Sequence, residues 1–144
     1  NSITLFFASG ANQVSAGSGA DTVVMIGPTG SMNVDAGAGN DFIAFNNAAS
    51  LLTTVMGGVG DDTIYVDGVT GSTLLFDGGN NDDTLFVLSA SSSSATLVGG
   101  SGSDALVSLS PDATFVATLL GGNDDDILVG GLGNESIDGG LGND

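Results

Sequence analysis

The stretch Gly57-Gly58-Val59-Gly60-Asp61-Asp62-Thr63-Ile64 decides how this chain is read. It recurs as AGSGADTV from Ala16, AGAGNDFI from Ala36, GGNNDDTL from Gly78, GGSGSDAL from Gly99 and GGNDDDIL from Gly121. GGLGNESI from Gly130 and GGLGND from Gly139 follow at once. The sixth place holds Asp21, Asp41, Asp62, Asp83, Asp104 and Asp126, then Glu135 and Asp144, at spacings of 20, 21, 21, 21, 22, 9 and 9 residues. Self-similarity at a fixed period marks a chain built from stacked copies of one small unit.

Apolar residues frame each turn. Val23, Ile43, Ile64, Leu85, Leu106 and Leu128 follow the acid by two places, and Val14, Val34, Val55, Phe76, Leu97 and Leu119 precede the turn. Each pair is nine residues apart, and Leu5 to Val14 makes a further step of nine across the degenerate turn ASGAN. The return segments vary in length and share no sequence: IGPTGSM, FNNAASL, VDGVTGS, LSASSSSA and SLSPDATF. One coil therefore holds two short strands, one turn of fixed length, and one that tolerates insertion as solvent-facing loops do. DTVVMI, DFIAF, DTIYV and DTLFVL are β-branched or aromatic and alternate, which predicts strands with Val23, Met25, Ile43, Phe45, Ile64, Val66, Leu85 and Val87 facing inward. Glycine frequency and the lack of a 3.6-residue period disfavour helix. A single coil cannot bury its apolar residues; stacked coils turn them into two continuous ladders.

Composition narrows the chemistry. The 144 residues include 17 Asp and Glu and no Lys, Arg, His, Cys or Trp, for a formal charge of −17. Nucleic-acid phosphates and anionic headgroups would be repelled, so neither nucleic acid nor membrane insertion is expected. No Ser–His–Asp triad, Cys–His pair or thiolate or imidazole metal site can be built, and no catalytic residue is assigned. Hydrophobic residues at 41% argue against disorder. Twenty-five Gly with only 2 Pro and no three-residue period argue against collagen. No apolar run approaches the ~20 residues of a membrane span. The chain starts at Asn1 and stops at Asp144 inside a repeat, so it reads as one domain, residues 1–144, cut from a larger protein. Its ITLFF end and its GGLGND end are strand edges that further coils or a neighbouring molecule would cover. Oxygen is the only ligand type left, which points to a hard cation such as calcium.

The turn chemistry agrees. Glycine permits φ > 0, so a Gly-rich turn can aim several carbonyls at one spot. The Asp adds a carboxylate, and a stacked turn about 5 Å away completes a cage of the 6–8 oxygens that calcium takes. Asn81 and Asp124 stand in the second-Gly place, and Asn and Asp tolerate left-handed conformations best among other residues. The pattern is the nonapeptide G-G-x-G-x-D-x-U-x, and from about Leu5 to Asp144 the chain resembles the RTX (repeat-in-toxin, haemolysin-type) calcium-binding β-roll. The resemblance implies an all-β, right-handed parallel β-roll, a β-solenoid of about six to seven coils with two strands each. It also implies ions shared between turns on one edge. Carried onto this chain, the metal-binding set is Gly17, Gly19, Asp21, Gly37, Gly39, Asp41, Gly58, Gly60, Asp62, Gly79, Asn81, Asp83, Gly100, Gly102, Asp104, Gly122, Asp124, Asp126, Gly131, Gly133, Glu135, Gly140, Gly142 and Asp144. Six turns leave five gaps, hence several calcium ions, about five or more. Adjacent unit charges about 5 Å apart repel by roughly 0.8 kcal/mol in water and roughly 3 kcal/mol at an effective dielectric of 20, so a metal-free column is costly. Plain nonapeptide blocks in this family carry ligating turns on both edges. Here the second edge is degenerate until Glu135, so no calcium column is expected on it between Asn12 and Glu135.

Blander readings stand beside these. One Asp in a Gly turn is usually a turn former; eight in register say more. Asp61, Asp82 and Asp125 read as solvated neighbours of the ligands, and Asp35, Asp77 and Asp138 as outward strand residues. Paired acids such as Asp61–Asp62 suggest glycosidase carboxylates, but their repetition argues against a unique active site. Asn134-Glu135-Ser136 fits a glycosylation sequon, yet turn geometry explains it. Ser89 to Ser94 reads as a flexible loop.

The expected function is a non-enzymatic, calcium-dependent structural β-roll of a secreted bacterial surface-layer, adhesin or extracellular filament protein. The resemblance to RTX proteins implies export in unfolded form through a one-step (type I) secretion system, with folding on meeting calcium. The expected partners are calcium, and further copies or other components at the cell surface. The alternative is the carboxyl-side folding and secretion block of a secreted protease, lipase or epimerase. An ice-binding solenoid would need a flat ladder of Thr or Asn, whereas the outward turn positions read Ser18, Ala38, Val59, Asn80, Ser101 and Asn123.

Overall fold

Alternating apolar and small or polar residues produce strands throughout, and the computed structural model, which describes residues 1–6 and 8–144, contains no helix among them. Seven parallel strands form the first sheet: Ser2–Phe6, Thr22–Ile26, Phe42–Asn46, Thr63–Asp67, Thr84–Val87, Ala105–Ser108 and Ile127–Val129. The second sheet contains Ala11–Ser18, Thr29–Ala38, Ala49–Val59, Thr73–Asn80, Ser94–Ser101, Val116–Asn123 and Asn134–Leu141. The chain alternates between the sheets and climbs one strand per coil, a parallel β-solenoid of seven turns.

Register converts the sequence repeat into columns. Val14, Val34, Val55, Phe76, Leu97 and Leu119 pair in series along the second sheet. Val23, Ile43, Ile64, Leu85, Leu106 and Leu128 do so along the first. All except Leu128, which packs against the core partly buried, lie in the apolar interior. Met25, Phe45, Val66 and Val87 are buried as the alternation requires. Phe45 and Phe76 stack across the interior, ring centroids 6.4 Å apart at 18°. Offset aromatic pairs of this kind add to what their burial contributes.

The structure corrects the reading at the first coil. Ile3, not Leu5, pairs with Val23, and Leu5 pairs with Met25. The nine-residue step from Leu5 to Val14 therefore crosses the variable edge. Gly10 stacks there above Gly30, whose added Cβ would lie 2.9 Å from the Gly10 nitrogen. Chance equality of length, not shared chemistry, made that turn look like the others.

The variable edge is also more ordered than its sequences imply. Two extra strands, Val69–Thr70 and Ala90–Ser91, add rungs beside Ala49. Pro28, Ala48, Val69, Ala90 and Ser110 are buried beneath them. The Ser89–Ser94 segment is part of this stack. Ser93 Oγ accepts from Ser72 N–H at 3.0 Å and donates to the Ser91 carbonyl at 2.9 Å. Ser72 Oγ likewise accepts from Leu51 N–H at 3.1 Å and donates to the Thr70 carbonyl at 3.0 Å. In the sixth coil the longer insertion is closed by Asp112, which accepts from the Thr114 backbone and hydroxyl, both at 2.8 Å. Phe115 fills the interior behind it.

Candidate metal centre

On the fixed edge every coil reverses through the same Gly-rich turn, and stacking decides which residues the turn accepts. Gly79 shows why. Its φ is +112°, and an added Cβ would press into the Gly58 carbonyl of the coil above. An L side chain is excluded twice, by its own backbone and by its neighbour's. Two places on, Asn81 and Asp124 adopt φ of 79° and 76° where the other coils have glycine, the substitution their conformational tolerance allows.

The six sixth-place aspartates Asp21, Asp41, Asp62, Asp83, Asp104 and Asp126 are buried, which is rare for Asp without a partner. From Asp41 onward, each one's Oδ1 accepts the backbone N–H of the aspartate one coil earlier. Asp41, Asp62 and Asp83 accept from Asp21, Asp41 and Asp62 at 2.7 Å, and Asp104 and Asp126 from Asp83 and Asp104 at 2.8 Å. Asp144 ends the series by accepting from Asp126 N–H at 3.0 Å. The Asn1 nitrogen, in the matching register position, meets Asp21 Oδ1. One carboxylate oxygen per coil is thus a structural rung.

The second oxygen has no such role. Oδ2 of all six buried aspartates lacks any hydrogen-bond partner. A buried, unpartnered charged oxygen is among the costliest groups a fold can hold. Burial pushes the acids upward: Asp62 and Asp104 rise from 3.8 to about 6 and Asp83 to about 7. The accepted backbone N–H opposes this, and neighbouring carboxylates reinforce it. Asp41 and Asp126 are raised for the same leading reason.

Oδ2 faces the first glycine of its own turn. A Cβ on Gly57 would lie 2.5 Å from Asp62 Oδ2 and 2.6 Å from the Gly78 carbonyl oxygen of the next coil. Gly99 with Asp104 and Gly121 with Asp126 repeat the arrangement. A carboxylate and a carbonyl from successive coils therefore face one small space beside a residue that must stay small. This first glycine place was absent from the site residues named from sequence, although its restriction to Gly or Ala in every turn was the signal for it. Ala16 and Ala36 occupy it in the first two turns.

The donor set suits a hard divalent cation: oxygen only, partly buried and repeated at the strand spacing of about 4.8 Å. Among the described residues no three acidic side chains converge on one point. A cage at this edge would therefore draw most of its oxygens from the turn carbonyls that the left-handed glycines orient. Calcium, when bound, supplies positive charge and a demand for 6–8 oxygens at 2.3–2.6 Å.

The other acids separate as their positions suggest. Asp61, Asp82 and Asp125 are exposed and bond along the edge: Asp61 N–H donates to Asn40 Oδ1 at 3.1 Å, and Ser103 N–H to Asp82 Oδ1 at 2.8 Å. Asp35, Asp77 and Asp138 are exposed on the second sheet. On the opposite edge, Glu135 Oε1 accepts from Gly131 N–H at 2.7 Å, and Gly133 is packed against the Phe115 carbonyl. The column above Glu135 reads Ala117, Ala95, Leu74, Thr53, Met32 and Asn12, which offers no further carboxylate.

Stacked Gly–Asp turns on one edge of a two-sheet parallel solenoid define a β-roll with an oxygen-lined column. The family model of the RTX calcium-binding nonapeptide repeat matches four copies, within residues 8–24, 53–68 and 117–144. Over those segments the chain is similar to the RTX calcium-binding nonapeptide repeat. The turns from Ala36, Gly78 and Gly99 lie outside those matches but continue the same registers, Gly37 to Gly58, Gly58 to Gly79 and Gly79 to Gly100. No curated protein and no solved structure matches the chain at a significant level.

Proposed function

We propose that the chain is a non-catalytic structural module of a secreted bacterial surface-layer, adhesin or filament protein, in which calcium drives both folding and assembly. The supporting observation is the column of six buried aspartates with unpartnered Oδ2. With −17 charge and no side-chain cation, the chain sets only the Asn1 amino group, at Asp21, against that column. Free calcium is scarce in cytosol and near millimolar outside cells, the range in which weak extracellular modules load. Folding would then be confined to the exterior, and the number of ions follows the gaps between turns, about five or more.

Circular dichroism tests the reading. The chain should be largely disordered in chelator and gain β signal on adding calcium but not on adding a monovalent salt at matched ionic strength. Asp62→Ala should raise the calcium midpoint more than Asp112→Ala, whose partners lie on the variable edge. Full order in chelator, or equal midpoints for the two variants, would refute it.

A further inference from the structure

The aspartate column is not uniform along its length. In the turns from Gly57, Gly78, Gly99 and Gly121 the first residue has no Cβ, and that absence leaves the room beside Oδ2. A Cβ on Gly57 would lie 2.5 Å from Asp62 Oδ2 and 2.6 Å from the Gly78 carbonyl oxygen. One on Gly99 would meet Asp104 Oδ2 and lie 2.6 Å from the Gly121 carbonyl oxygen, and Gly78 and Gly121 face Asp83 and Asp126 in the same way. The first two turns carry the Cβ. Ala16 and Ala36 hold the same place; Ala36 is fully buried and Ala16 packs partly buried against the apolar interior. Their turns keep the common register, Gly17 with Gly37 and Gly37 with Gly58, so the two methyl groups stand where the later turns leave space. Asp21 and Asp41 have an unpartnered Oδ2 like the others. What differs is the room beside it.

Charge changes at the same point in the stack. The residue before the buried aspartate is Ala20 and Asn40 in the first two turns, but Asp61, Asp82 and Asp125 in three of the four that follow. Each of the first two turns thus offers an ion one carboxylate, where the turn from Gly57 offers two. One unit charge about 7 Å from a divalent ion changes its affinity by about sevenfold even in water. A methyl group acts in the same direction: it has no lone pair, and it fills volume that an ion with oxygens at about 2.3–2.6 Å requires.

We propose that the first residue of each turn sets calcium affinity gap by gap. From the turn at Ala16 to the turn at Gly139 there are six gaps. The four that follow Gly57, Gly78, Gly99 and Gly121 form a tight class, and the two beside Ala16 and Ala36 a weak one. The column therefore loads from Gly57 onward before its first two coils order. The inference rests on the calcium reading above and assigns its ions to positions. The first place takes no positive φ at Gly57, Gly78, Gly99 or Gly121, so exchanging Gly and Ala there leaves the backbone unstrained. Ala16 and Ala36 themselves show that the stack accepts the methyl.

Calorimetry and equilibrium dialysis with calcium alone test the assignment. The wild-type chain should bind in two classes, four ions tightly and two at a concentration about tenfold or more higher. With only the tight class filled, amide exchange should be slow across residues 57–123 and fast across residues 11–46. Ala36→Gly should move one ion into the tight class, and Gly99→Ala should move one out of it. Circular dichroism in saturating calcium checks that both variants fold; if either does not, the other variant and the wild-type exchange pattern decide. A single class in the wild type, an isotherm that neither substitution changes, or early protection of residues 11–46 overturns the assignment and leaves the calcium reading standing. A chain that takes up no calcium and gains no β signal overturns the calcium reading itself.

Discussion

Replacing Asp83 by Asn separates the two jobs of the aspartate column, because each belongs to a different oxygen. Asp83 sits mid-column: its Oδ1 accepts Asp62 N–H at 2.7 Å and its own N–H donates to Asp104 Oδ1 at 2.8 Å. Its Oδ2 is buried without a partner. Asn keeps the Oδ1 acceptor and therefore the rung, but removes the charge. The variant should consequently change stability in opposite directions with and without calcium. Burial raises Asp83 from 3.8 to about 7. That displacement is worth about 4 kcal/mol at full value, and solvent at the edge reduces it to about 2 kcal/mol. In chelator at pH 8 the Asn variant should thus be about 2 kcal/mol more favourable as a folded chain. In calcium it would lose the charged ligand proposed for the ion, and the calcium midpoint should rise about tenfold or more, about 1.4 kcal/mol per decade. Circular dichroism with two titrations reads both arms: trimethylamine N-oxide in chelator, where an excluded osmolyte favours the folded chain, and calcium without osmolyte. Less osmolyte and more calcium than wild type is the expected pair. A need for more of both would reduce Asp83 to a hydrogen-bonding rung; a need for less of both would remove any role for it in ion binding.

Protons should substitute in part for calcium. Asp62, Asp83 and Asp104 at about 6 to 7 bind more protons folded than at their unfolded 3.8. The ion-free fold should therefore gain stability as pH falls from about 7 towards 4, and the calcium midpoint should rise over the same range; a pH-independent midpoint would contradict this. Gly79→Ala combines a left-handed φ with a Cβ driven into the Gly58 carbonyl, whereas a Cβ on Gly17 meets nothing within 4 Å. The first should cost about 3 kcal/mol or more in chemical denaturation in calcium and the second about 1–2 kcal/mol; equal losses would mean that stacking does not enforce glycine. Ser72→Ala leaves the Leu51 N–H unpaired and should cost about 1–3 kcal/mol without altering the calcium stoichiometry measured by calorimetry.

Several features were legible along the chain because their causes are local. The Gly–Asp repeat and its spacing determined a solenoid. Alternation within five-residue stretches determined the inward residues, and the tolerance of Asn and Asp for positive φ accounts for Asn81 and Asp124. What tertiary structure alone decided arises between residues about 20 apart. The division of each carboxylate into a bonded Oδ1 and an unpartnered Oδ2 depends on the backbone of the coil before it. The serine rungs from Ser72 to Ser93 depend on insertions whose lengths differ but whose ends are held in register. The first coil was misread at Leu5 because a nine-residue span across the variable edge equals one across the fixed edge, and only pairing of Ile3 with Val23 distinguishes them.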